Sequence, residues 1–230
     1  MNRFALIATG AIALGAVATS NPAHAVLTLD VYQDGSYLAT IVDNDANDLF
    51  AGVDNVINVN MAGIGFDQTI MGVGNITSSF DNGVIDIAIS GLVSSAPSSI
   101  QIVARNDFLS PDPVVSVNGA LTTNNTANGT TTQIVALEEF GGGASFGSTT
   151  NILTGSGPQM TLSSFSVVPP LDGGYRIVHD VTFSATSRGS VSIDAVSTAV
   201  PEPATLALLG VGLAGLGLAM RRRRENKLAV

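Results

Sequence analysis

Short runs in which apolar and polar residues alternate recur from Val26 to Ala199, and they restrict the fold more than any other feature of the chain. A period of two is typical of strands with one buried face, whereas no long stretch in this region keeps the 3.6-residue period of a helix. The clearest run places Ile85, Ile87 and Ile89 on one face. Asp34-Gly35 separates two other runs and indicates a hairpin turn.

These runs mark about ten candidate strands, separated by Gly, Asn, Asp, Ser and Pro. They lie at residues 27–31, 37–41, 83–90, 100–103, 114–117, 134–137, 160–168, 175–185 and 191–195. Without recurring βαβ units, this spacing predicts an all-β domain, folded as an antiparallel β-sandwich or jelly-roll. We expect the polar stretches 118–132 and 141–157 to be long surface loops and residues 197–200 to be a short tether.

The predicted domain, residues 26–199, is strongly acidic. It contains 16 acidic residues and three basic residues, which gives a formal net charge of −13. A surface of this charge repels nucleic acid and anionic lipid, so we expect no nucleic-acid partner. The chain contains no Cys, which excludes disulfides and thiol chemistry and suits export into an oxidising compartment.

Residues 1–25 have the three-part pattern of a secretory signal peptide. Arg3 supplies a positive charge, and residues 4–18 form an uncharged, mostly apolar segment. Ala23 and Ala25 form a small-x-small cleavage site, with Val26 as the expected start of the mature protein. The pattern predicts export through the Sec machinery and removal of the signal helix by signal peptidase; a short membrane anchor is the alternative.

A second signal in three parts occupies the C-terminal end. An uncharged stretch, residues 204–220, is preceded by Pro201, Glu202 and Pro203 and followed by Arg221, Arg222, Arg223 and Arg224. As a helix the stretch would span about 25 Å, close to the lower limit for crossing a bilayer. The Arg cluster would stop transfer and hold the tail, residues 225–230, in the cytoplasm, with the domain outside. The two Pro residues favour an extended, exposed motif.

This order of parts resembles the PEP-CTERM signal of Gram-negative bacteria. Pro201, Glu202 and Pro203 stand at the motif positions of that family, and Arg221 to Arg224 stand at its basic positions. The resemblance covers residues 200–224 and implies recognition and cleavage by an exosortase, a membrane-embedded cysteine peptidase-like enzyme. It also implies an inner-membrane anchor facing the periplasm before processing. Delivery to the cell envelope or extracellular matrix, often beside exopolysaccharide, would follow. The alternative is a single-span anchor that is not processed.

An acidic run behind the second candidate strand suggests a calcium site. Asp43, Asp45, Asn47 and Asp54 occupy relative positions 1, 3, 5 and 12 of a calcium loop, where oxygen ligands can surround Ca²⁺. Asp48 replaces the Gly expected at position 6, and the flanks look like strands, so an Asx-rich turn is the alternative. With one His in the mature chain and no Cys, we expect no zinc site.

Two other clusters do not favour catalysis. His179 and Asp180 are neighbours in a candidate strand and should point to opposite faces, so we expect a solvated histidine and no catalytic triad. Glu138 and Glu139 diverge for the same reason, and we expect a charged strand end instead of the carboxylate pair of a glycosidase. No catalytic residue is therefore predicted.

Three functions remain open from the sequence. The first is a non-enzymatic structural protein of the envelope or matrix. The second is a calcium-dependent adhesin or glycan-binding module, although the chain has no Trp and only three Tyr to stack on sugar rings. The third is a secreted hydrolase, which the lone mature His and the scattered acids disfavour.

Overall fold

The computed structural model of the chain describes residues 26–49, 52, 56–60, 75–81, 83–109, 114–167 and 174–201. These residues form strands and turns and no helix, and every strand pair is antiparallel, which confirms the all-β prediction. The strands are β1 (Thr28–Gln33), β2 (Ser36–Val42), β3 (Val56–Asn60), β4 (Asn75–Asp81), β5 (Val84–Val93), β6 (Ser98–Leu109), β7 (Val114–Glu139), β8 (Ser145–Ser166), β9 (Gly174–Ala185) and β10 (Gly189–Pro201).

The strands join into one sheet that curls back on itself. Its order is β2-β1-β6-β9-β7-β10-β5-β4-β3, and β8 pairs with β7 beside this path. The two halves of β7 have different neighbours, because residues 114–123 pair with β10 and residues 129–139 pair with β9. β8 follows both halves of β7 as the second strand of a long hairpin.

Glycines allow the long hairpin to bend at its middle. In β8 the bend contains Gly155 and Gly157, whose φ angles of 109° and 88° are rare for residues with a side chain. In β7 a Cβ on Gly129 would contact the carbonyl oxygen of Ser184 and lie 2.8 Å from the Phe183 ring. No larger residue fits at that position without a shift of the neighbouring strand.

The bend produces two facing layers. Layer A contains β2, β1, β6, β9, residues 129–139 of β7 and residues 145–155 of β8. Layer B contains β3, β4, β5, β10, residues 114–125 of β7 and residues 157–166 of β8. Asn151 of layer A donates a hydrogen bond to the Gly119 carbonyl of layer B (3.1 Å), so the inner faces of the layers are in contact. The sheet is therefore sandwich-like.

The core fills the space between the layers. Period-two alternation buries every second side chain, and in β9 the inward residues run from Tyr175 to Ala185. The residues Ile85, Ile87 and Ile89 face the core, with exposures of 0, 0 and 1%. The predicted Asp34-Gly35 turn joins β1 to β2, with positive φ at both residues.

Three expectations about loops are wrong. Residues 118–132 lie inside β7, and residues 145–157 of the second polar stretch lie inside β8. Their Thr residues are β-branched, which favours the extended backbone of a strand, while Leu121 and Ala127 face the core. Residues 197–200 are not a tether but part of β10, where Ser197 and Ala199 are buried.

Tyr175 and its neighbours close the end of the sandwich at which β10 ends. The Tyr175 hydroxyl accepts a hydrogen bond from the Val114 N–H (3.0 Å). The rings of Phe108 and Phe146 lie 5.5 and 6.3 Å from the Tyr175 ring. β1 begins towards the same end, since Thr28 pairs with Arg105 of β6. The start of the domain and its last strand thus share one end.

Candidate functional site

The outer face of layer B carries a shallow groove of about 280 Å³ where β8, β7 and β10 lie side by side. Register brings residues that are distant in sequence into rows across these strands. One row contains Leu162, Ala120 and Val196, and the next contains Ser164, Asn118 and Thr198. Ala120 has the shortest side chain of its row, so the face dips between Leu162 and Val196. The complete lining is Asn118, Gly119, Ala120, Leu162, Ser163, Ser164, Val196 and Thr198.

Two carboxyl groups border the groove. Asp86 of β5 extends the row of Val196, and Asp194 lies one row further along β10. Burial, a hydrogen bond with Asp194 and the charge of Asp194 together raise the pKa of Asp86 from 3.8 to about 6. Oδ1 of Asp86 is buried and has no hydrogen-bond partner among the described residues. The pair therefore holds a proton at mildly acidic pH.

The groove combines a short aliphatic floor with neutral amide and hydroxyl groups. Asn118, Ser164 and Thr198 can each donate and accept hydrogen bonds. The carboxyl pair adds acceptors at one side, and a proton on Asp86 adds a donor. This arrangement can bind a hydroxylated, uncharged ligand, and it contains neither a nucleophile with an adjacent base nor an aromatic platform within the described lining.

A second polar cluster is sealed between the layers. Gln133 occupies its centre: its amide nitrogen lies 2.8 Å from Nε2 of His179 and 3.1 and 3.0 Å from the Ala120 and Val196 carbonyl oxygens, so its two N–H groups are shared among three acceptors. Asn151 donates to Oε1 of Gln133 (2.7 Å). Because an amide nitrogen only donates, Nε2 of His179 accepts, and the ring is neutral. Burial lowers the pKa of His179 to about 3, against a smaller opposing effect of the Ile85 carbonyl.

The prediction of a solvated histidine is therefore wrong, since His179 has 0% exposure. His179 occupies an inward position of β9, between Ile177 and Val181. Asp180 faces outward as expected for a strand neighbour and accepts a hydrogen bond from Gln101 (2.7 Å). Burial raises the pKa of Asp180, although the hydrogen bonds from Gln101 and Thr182 oppose the shift. The two side chains cannot cooperate on one substrate.

The acidic run behind β2 forms a compact turn in its described part. Oδ1 of Asp45 accepts hydrogen bonds from the N–H groups of Asn47 (2.6 Å) and Asp48 (3.1 Å), and Oδ2 accepts from Val42 (3.0 Å). The described residues contain no group of three or more His, Cys, Asp or Glu side chains that could hold a metal ion. Asp43 and Asn47 lie in the same turn, and Asp54 lies outside the described residues. The calcium site remains a prediction.

Glu138 and Glu139 end β7. Glu138 pairs across the sheet with Arg176, whose guanidinium forms a two-point ion pair with Asp107 (2.7 and 2.8 Å). Glu139 is exposed and accepts a hydrogen bond from the Ala144 N–H in the turn that follows (3.3 Å). In the described structure the two acids are engaged in local contacts of the strand end.

The sorting and processing residues lie at the borders of the described structure. Val26 is 51% exposed just before β1, and Pro201 is the last residue of β10. The remaining predicted residues, which are Ala23, Ala25, Glu202, Pro203 and Arg221 to Arg224, fall outside the described residues, as do the signal helix and residues 204–220. No described segment is a helix long and apolar enough to cross a membrane.

Sequence comparison assigns one part of the chain. Residues 199–224 match the family model of the PEP-CTERM protein-sorting motif, and this match confirms the resemblance seen in the sequence. The motif implies an exported, membrane-anchored protein that an exosortase later processes. A search of curated proteins gives no match.

Structure comparison finds several solved structures whose backbones are similar to part of this chain. TmCBM61, in complex with β-1,4-galactotriose, is 10% identical over 64% of this chain and 83% of its own, with a TM-score of 0.34. A CBM4 structure is 14% identical over 68% and 93%, with a TM-score of 0.31. A family 11 carbohydrate-binding module from Clostridium thermocellum, in complex with a β-1,3-1,4-mixed-linked tetrasaccharide, is 11% identical over 67% and 94%, with a TM-score of 0.27.

Proposed function

We propose that this chain, which carries the PEP-CTERM protein-sorting motif at residues 199–224, is a non-enzymatic structural protein of the cell envelope or extracellular matrix. Signal peptidase releases it at Val26 after export through the Sec machinery, and an exosortase cleaves it at the C-terminal motif. The match to the motif, which begins at residue 199 inside β10, is the observation that carries the proposal.

The position of the motif suits a cut that leaves the domain intact. β10 pairs with β5 as far as Thr198 and with β7 as far as Pro201. Removal of the residues that follow Pro201 breaks none of these pairs. The processed protein therefore keeps its complete sheet.

The environment of His179 supports the non-enzymatic part of the proposal. It is the one His left after removal of the signal peptide, and it is buried, neutral and engaged with Gln133. A general base needs access to its substrate, and this ring has none. We expect the mature protein to be inert on a broad panel of glycoside and ester substrates.

Intact mass and cell fractionation test the sorting proposal. In cells with the exosortase we expect a species that begins near Val26, ends between Pro201 and Ala204, and lies outside the inner membrane. Cells without the enzyme should retain Arg221 to Arg224 on a species held in the inner membrane. A Pro203→Ala variant in normal cells should behave in the same way. A species that keeps the Arg cluster in both strains would contradict the proposal.

The groove on layer B supports a second function, which is binding of an envelope or matrix glycan. Asn118, Ser164 and Thr198 offer neutral hydrogen-bonding groups above the aliphatic floor, which suits sugar hydroxyl groups. The acidic charge of the domain favours an uncharged glycan over an anionic one.

An Ala120→Leu variant fills the groove, so we expect it to weaken binding to exopolysaccharide isolated from the same cells by about tenfold, or ~1.4 kcal/mol. Ala136→Leu is the matched control, because Ala136 lies on the outer side of the same strand in layer A. Co-sedimentation with the polysaccharide measures both. Equal binding by the two variants, or no binding by the unmodified protein, would rule this function out.

A further inference from the structure

β8 is a 22-residue strand that pairs with one strand, β7, among the residues that the structure describes. β7 occupies one edge, and no described strand pairs with the other edge. An open edge presents a row of main-chain N–H and C=O groups to any strand that can lie beside it. The two other edge strands of the described sheet, β2 and β3, have only 7 and 5 residues.

Natural edge strands are usually protected by charges, by short length or by bulges. β8 has no charged residue, although the domain carries a net charge of −13. Pro158 is the one residue within it that lacks an N–H group. The register of β8 against β7 shifts at the bend and again near Ser145, but the stretches 147–155 and 157–166 keep a regular register and carry no charge. Along these two stretches the open edge is almost unprotected against pairing.

Apolar side chains are left exposed on both faces of β8. On its outer face Ile152, Met160 and Leu162 have exposures of 61, 64 and 66%. On its inner face Leu153 and Phe165 are only partly buried against the core. A further strand beside β8 would cover residues on both faces, which gives edge pairing an apolar contribution in addition to hydrogen bonds.

We propose that β8 pairs edge to edge with β8 of a second copy of this chain, in an antiparallel arrangement around a two-fold axis at the bend. Two copies of an acidic domain repel each other, but much less where the approaching strands are uncharged. A basic partner would be drawn to the acidic surfaces instead.

The bend at Gly155 and Gly157 adds a geometric reason, because a strand that pairs with β8 along its whole length must bend at the same place. A second β8 does so, and a two-fold axis makes the contact self-complementary. This pairing goes beyond the proposed function and does not depend on it.

Sedimentation velocity of the full chain in a mild detergent tests the pairing. We expect a dimer, and we expect the double variant Ile152→Glu/Met160→Glu to be a monomer because it places charge on both arms of the edge. Leu92→Glu is the matched control: Leu92 is 53% exposed, but it lies on β5, which β10 and β7 separate from β8 in the sheet. All three proteins keep the C-terminal apolar segment, so association through that segment would not distinguish them.

The absence of Cys allows a second test that needs no destabilising substitution. Under mild oxidation Ser156→Cys should form a disulfide-linked dimer, since a two-fold axis at the bend brings residue 156 next to its own copy. Ser192→Cys, exposed on the internal strand β10, should not. A monomeric unmodified chain, a double variant that still dimerises, or a Ser156→Cys dimer without the cross-link would each overturn the proposal.

Discussion

Asp86 makes the stability of the domain depend on pH. The pKa of Asp86 is about 6 in the folded protein, whereas its ordinary value is 3.8. Partial burial is the main cause of this increase, and the nearby Asp194 adds to it. A raised carboxyl pKa means that the folded state binds the proton more tightly than the unfolded state. The resulting stabilisation is complete below pH 3.8 and disappears as the pH rises through 6.

We predict that Asp86→Asn raises the melting temperature at pH 7.5 and has little effect near pH 4. The amide never ionises, so the variant avoids the cost of a charged group beside Asp194. Thermal unfolding between pH 4 and 8 should show the difference from the unmodified protein growing between about pH 4 and 6 and staying constant above that range. Asp194→Asn should give a smaller gain, because it leaves the burial of Asp86 unchanged. A difference that does not vary with pH would contradict the prediction.

The sequence allows the burial of His179 to be predicted, but not its hydrogen-bond partners. The inward position could have been found, because His179 continues the period-two series of Ile177 and Val181. Its partners could not, since Gln133 and Asn151 come from β7 and β8 and contact each other only when the hairpin bends. Polar residues at inward strand positions are a signal for such a network.

At the scale of an element, the bent β7–β8 hairpin organises the fold. The sequence predicts strands at residues 114–117, 134–137 and 160–168 of this hairpin, but it predicts loops at residues 118–132 and 141–157, where Asn, Thr, Gly and Ser dominate. Leu121, Thr123, Asn125 and Ala127 nevertheless keep a strict inward alternation. The amino-acid composition of this segment predicts a loop, whereas its period-two pattern of apolar residues predicts a strand. The segment forms a strand because β8 pairs with it on one side and β9 and β10 pair with it on the other.

We predict that Gly129→Ala destabilises the protein by about 1–3 kcal/mol, as expected for overpacking at a site that cannot open without moving a strand. The added Cβ would contact the carbonyl of Ser184 and the ring of Phe183. Urea unfolding of the full chain measures the loss. Asn128→Ala is the control at the same bend, where the side chain is exposed and a change below about 0.5 kcal/mol is expected. Equal effects of the two substitutions would show that close packing does not fix the bend.

At the scale of the whole molecule, the sequence predicts the class of fold and the sorting signal but not the groove. Local period-two patterns are sufficient for an all-β domain, and the tripartite ending is contiguous in the chain. The groove joins Asn118, Leu162 and Val196, which register alone brings together. Register depends on strand order, and short-range patterns do not determine that order.

The central place of β10 also has a mechanical consequence. A load applied through the C-terminus acts along the axis of β10, while its hydrogen bonds to β5 and β7 run across that axis. Those bonds are therefore loaded in shear and must fail together. Tension on the C-terminal end of the described domain is therefore carried by two neighbouring strands, whereas an edge strand would have one.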